Sequence, residues 1–118
     1  MASKAPSVRL ELRAVFYKEG GVWFSHCLEM DVIGHGETKE DALKMMAEAV
    51  SLQIVTSLKL GNPANIFMPA DARFFEMFAS GKDVAIGKLE FVTTPKHFDG
   101  VEIDDVRARE FSGHLAMA

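Results

Sequence analysis

"DVIGHGETKEDALKMMAEAV", residues 31–50, decides how this chain folds, because its periodicity changes within a few residues. Residues 32–36 read as a short strand; from Thr38 onward the apolar residues recur at helical spacing. Thr38 offers a hydroxyl at the N-cap, and Asp41 stands three positions on, close to a capping box. Glu37, Glu40 and Asp41 suit the positive end of the helix dipole. The helix is expected to run to about Lys59 and to stop at "GNP", with Gly61 as punctuation. Gly34 and Gly36 are read as the hinge that turns strand into helix, and glycines inside a strand also signal close backbone approach or a bulge. His35, between them, is expected to be exposed and without chemical work.

The helix is greasy on more than one side. Leu43, Met46, Val50, Ile54 and Leu58 form one row; Ala42, Met45, Ala49, Leu52 and Val55 form its neighbour. Lys44, Glu48 and Ser51 leave only a narrow strip for solvent, so a second helix or a second subunit has to cover it. The chain's own candidate is "PADARFFEMFASG", residues 69–81, a short helix carrying Phe74, Phe75, Met77 and Phe78.

Upstream, residues 8–17 alternate, with Val8, Leu10, Leu12, Ala14 and Phe16 on one side and Arg9, Glu11 and Arg13 on the other. "KEGG" supplies the tight reversal, residues 22–27 alternate again, and residues 32–36 complete an antiparallel meander. Downstream, "KLEFVTT" (88–94) reads as a fourth strand ended by Pro95. "VEIDDV" reads as a short edge strand or an extended arm, and "SGHLAMA" as a frayed end. The expected architecture is α+β: a β-meander, a long helix, a second helix and a further strand, in the order β-β-β-α-α-β.

At 118 residues the chain has room for one domain, a core over 8–60 followed by 61–118 with the second helix, a strand and an acidic tail. Its formal net charge of −4 argues against a protein that coats nucleic acid. A single cysteine, Cys27, fits a reducing cytoplasm. "MASKAPS" leads into no apolar signal segment, and the apolar run 42–58 is broken by Lys44, Glu48, Ser51 and Gln53, so no membrane span is expected.

The meander followed by "GHGETKEDAL" resembles the HicB antitoxin family, over roughly residues 8–55. The family's Gly-x-Gly-x-Thr-x-x-x-Ala signature is matched by Gly34, Gly36, Thr38 and Ala42, with Leu43, Glu48 and Ala49 following in the helix. Its usual Pro-Glu-x-x-Gly segment is matched by "CLEMD", where Cys27 replaces the proline and Asp31 the glycine. The resemblance implies a degraded ribonuclease H-like scaffold and a role as antitoxin, inhibiting a small, basic HicA-like RNA-cleaving toxin. Many such antitoxins add a C-terminal DNA-binding module; here residues 82–118 hold more acidic than basic side chains and no room for two amphipathic helices, so operator binding is not expected.

Enzymatic alternatives find little support. Two-metal cleavage needs carboxylates converging at the sheet centre, where strand one offers only Glu11; Glu29 and Asp31 fall in a connection. His26 and Cys27 are adjacent in a strand and point to opposite faces, so only one can meet His35, too few ligands for zinc. No nucleophile-base pairing has a supporting motif, and neither metal nor cofactor is expected. "FDGVEIDD" (98–105) lacks calcium-loop spacing. Its Asp99, Glu102, Asp104 and Asp105 read either as a solvated tail or as a cover for a toxin's basic face. With Phe74, Phe75 and Phe78 they are the candidate partner-binding residues. Self-association is expected from the surplus of apolar surface, and the second reading of function is a stand-alone oligomeric or small-ligand-binding module.

Overall fold

The computed structural model describes residues 8–86 and 101–113. Three strands, β1 (Val8–Glu19), β2 (Val22–Cys27) and β3 (Val32–Gly36), form the expected antiparallel meander. Gly20 and Gly21, both at positive φ, make the first reversal. Then come helix α1 (Lys39–Lys59), a 3-10 turn (Pro63–Ile66), helix α2 (Ala72–Ser80), and strands β4 (Lys82–Val84) and β5 (Val101–Glu110). The α+β expectation holds, as one five-stranded mixed sheet ordered β3-β2-β1-β5-β4 with two helices. The strand expected at 88–94 lies outside the described residues.

The C-terminal region departs from the sequence reading. Val101–Glu110 is neither an edge strand, nor an arm, nor a tail: it is a ten-residue strand inside the sheet, parallel to β1 and antiparallel to β4. Val101 and Ala108 are buried, and Ile103 and Val106 pack on the same core. Four apolar anchors outweigh the acidic composition, whose carboxylates project from the polar side of the strand.

α1 starts as expected, with the Asp41 backbone N–H donating to Thr38 Oγ1 at 3.1 Å. Leu43, Met46, Val50 and Ile54 pack on Leu10, Leu12, Ala14 and Phe16 of β1 and on Cys27 of β2. Burial of each large side chain contributes about 1.5–3 kcal/mol. Ser51, assigned to the solvent strip, is instead buried, as is Ser57.

Gly34 and Gly36 have a different reason from the hinge. Neither adopts positive φ. A Cβ on Gly34 would stand 2.2 Å from the Ala42 carbonyl oxygen and 2.3 Å from the Met46 nitrogen; one on Gly36 would stand 2.5 Å from the Asp41 Cβ. α1 lies directly on β3, and only glycine leaves room for its backbone. Close approach is the reading that stands.

α2 does not cover α1. It packs on the opposite face of the sheet, where Phe74, Met77 and Phe78 join Val15 and Tyr17 of β1, Leu28 and Ala70 in a second core. Both faces of β1's second half are therefore buried, which its alternation could not announce. The chain crosses between faces at the β2–β3 turn, where the Met68 and Ala70 N–H groups donate to the Glu29 and Leu28 carbonyls. The outer side of α1 stays open, with Leu52 68% and Met45 40% exposed. Among the described residues no helix is long and apolar enough to cross a membrane.

Candidate functional site

The residues singled out in the sequence fall into three places. Phe74 and Phe78 are buried in the second core, and Phe75 is half-buried beneath the Arg13 guanidinium, 4.9 Å from its ring centroid. As partner-binding residues, Phe74 and Phe78 are corrected: packing against the sheet already occupies them. Asp99 lies outside the described residues.

Glu102, Asp104 and Asp105 are brought together with Glu11. In the parallel pairing of β1 with β5, Arg9 stands beside Glu102 and Leu10 beside Ile103, and then the register slips so that Glu11 stands beside Asp105. Asp104 is the extra residue of this bulge. Glu11, Glu102, Asp104 and Asp105 are all exposed except for partial cover at the bulge, and among the described residues a single guanidinium answers them: Arg9 Nη1 lies 3.5 Å from Asp104 and 3.8 Å from Glu102. Such exposed pairs contribute at most about 1 kcal/mol. Glu11 and Asp105, like charges side by side on neighbouring strands, have no cation in contact among the described residues. That juxtaposition works against folding. One step further along the sheet the sign reverses, with Arg13 beside Arg107. Arg13 is held by Glu29 at 2.6 Å and Arg109 by Asp83 at 3.0 Å, so these two serve the packing of α2.

The histidines and the cysteine divide as expected across β2. The His26 imidazole is buried on the α2 side, 4.1 Å from the Phe74 ring centroid, and its Nε2 donates to Asp31 Oδ1 at 2.7 Å. Its Nδ1 is buried without a partner among the described residues. Asp31 sits at φ +50°, a left-handed conformation costing a non-glycine residue about 1 kcal/mol. The sequence reading passed over the Asp31–His26 pair. Its one signal was an aspartate standing where the resembling family has glycine. His35 is exposed, tilted against Phe24, and its backbone N–H meets Met45 Sδ at 3.4 Å. No cluster of three or more metal-ligating side chains occurs among the described residues.

Cys27 faces α1 and is fully buried. Burial, aided by the Glu29 charge, pushes its thiol up from 9.0 to about 12, against backbone hydrogen bonds from Met30 and Glu29 that lower it. The native thiol is expected to resist a thiol reagent at pH 8 and to react at once in denaturant, which a chromogenic thiol assay reads directly. Because the folded state holds this proton more tightly, the associated stability is complete below pH 9.0 and is lost progressively toward about pH 12. Alkaline denaturation that stayed flat across that window in wild type, or matched Cys27→Ala, would contradict it.

A further recess, of about 200 Å³, opens beside the start of α1 and is lined by Phe16, Lys39, Glu40, Leu43, Val84 and Ile86 among others. Lys39 is anchored at its rim, donating to Glu110 Oε1 at 2.6 Å and lying over the Trp23 ring. No protein-family model matches the chain, and no match was found among curated proteins or solved structures.

Proposed function

We propose that this protein is a HicB-like binding protein that inhibits a small, basic, HicA-like RNA-cleaving toxin. The observation that carries the reading is the exposed acidic strip of Glu11, Glu102, Asp104 and Asp105, built by the β1–β5 register slip and answered among the described residues only by Arg9. Its support is twofold: the resemblance carried by Gly34, Gly36, Thr38 and Ala42, and a strip whose charge suits the RNA-binding face of such a toxin. Inhibition is then occlusion. The strip accelerates encounter by steering and holds the toxin's cationic groups away from RNA. The role is cytoplasmic, needs no cofactor and no metal, involves no catalysis, and does not extend to direct DNA binding.

The test is co-expression with a small basic toxin encoded next to this gene. Wild type is expected to relieve growth arrest, and the triple variant Glu102→Lys, Asp104→Lys, Asp105→Lys to lose that relief while keeping its circular dichroism spectrum. Failure of wild type to rescue ends the antitoxin reading. The second reading, a stand-alone oligomeric or small-ligand-binding module, is favoured by the recess beside Lys39 and by the open side of α1. A chain that rescues nothing yet gains thermal stability with a small anionic metabolite would support it.

A further inference from the structure

α1 carries a second seam outside the first core, which starts beside β3 at Asp41 and Met45. Asp41, Met45, Glu48, Leu52, Val55 and Lys59 are spaced by four, three, four, three and four residues, the spacing that keeps side chains on one line of a paired helix. None of the six is buried: Val55 is half-covered and the other five are exposed. α2, the helix that might have met them, sits across the sheet, so no helix among the described residues covers this line.

We propose that this seam docks on the same seam of a second copy, antiparallel, about a two-fold axis level with Val50. The charges choose the occupant. In that register residues whose numbers sum to 100 face each other, so Asp41 meets Lys59 of the other copy at both ends, Met45 meets Val55, and Glu48 meets Leu52. The apolar three fall in the middle layers, the glutamate stem lies along leucine, and its carboxylate turns out toward Lys44 one turn back. A parallel pair would instead stack Asp41 on Asp41, Glu48 on Glu48 and Lys59 on Lys59. Like charges at three of six layers exclude that arrangement. The antiparallel pair also sets the two helix dipoles head to tail. The inference stands apart from toxin binding, since the acidic strip lies on the sheet, and either can fail alone.

Sedimentation equilibrium of the full chain over the micromolar range tests it. Wild type is expected to pass from one chain to two with rising concentration. Leu52→Asp is expected to stay a single chain. Asp41→Lys and Lys59→Asp, each replacing two opposite-charge contacts by two like-charge ones, are expected to weaken the dimer roughly tenfold. Combining the two swaps should restore it to within about threefold of wild type. All three positions are exposed, and helical circular dichroism checks that each variant folds. A wild type that remains a single chain throughout overturns the proposal, as does a dimer indifferent to Leu52→Asp or a double swap that regains nothing.

Discussion

Gly34→Ala is expected to destabilise the fold by about 3 kcal/mol or more, the largest effect of a methyl group added at any described glycine. The added carbon would stand inside the contact distance of the Ala42 oxygen and the Met46 nitrogen, and both are helix backbone that no rotamer change can move aside. α1 would have to lift from β3, loosening Met46 and Val50 from the first core. Gly20→Ala is the control. It has nothing within 4 Å and pays only for its φ of +58°, roughly 1–2 kcal/mol. Urea unfolding of the two variants compares them directly, and equal midpoints would mean that the helix does not rest on the strand.

Phe74→Ala is the second. Removing a buried ring that touches Tyr17 and His26 is expected to cost roughly 3–4 kcal/mol and to free α2 from the sheet. The same substitution separates two roles for this phenylalanine. A side chain kept for a partner would leave unfolding unchanged and abolish only association; a core side chain lowers the midpoint whether or not a partner is present. Fluorescence of Trp23 and hydrogen exchange over 72–80 follow the loosening on the two faces of the sheet. Exchange should rise on the α2 side first, because Trp23 packs with the α1 core.

The parts of this fold that were legible in the sequence are those settled by local chemistry. Alternation in 8–17 and 22–27, two glycines at Gly20 and Gly21, and a threonine cap give the meander and α1 nearly to the residue. Long-range choices were not legible. The short α2 carries one apolar stripe, and nothing in that stripe says which face of a sheet it will choose; it went to β1's far side, where Val15 and Tyr17 waited. Residues 98–105 read as a solvated tail or a cover for a partner, and "VEIDDV" as a short edge strand or an arm, yet Val101, Ile103, Val106 and Ala108 line up against β1 once a bulge at Asp104 absorbs the odd spacing between Ile103 and Val106. That spacing breaks strict alternation and hides the strand. The same bulge makes the acidic strip: Glu11 and Asp105 could each be named from the sequence, but not that they stand side by side. Gly34 and Gly36 stood out as glycines at a strand-to-helix junction, and geometry chose close approach over the hinge.

Among the described strands, the one latest in the chain occupies an inner place in the sheet. Until β5 has left the ribosome, β1 has one bare edge and β4 lacks its partner among the described strands, so the meander and α1 must wait with a row of open hydrogen-bonding groups. A nascent chain halted before Val101 would expose the flank of Leu10 and Leu12 to any passing strand, which makes slow translation through the second half a hazard for this protein.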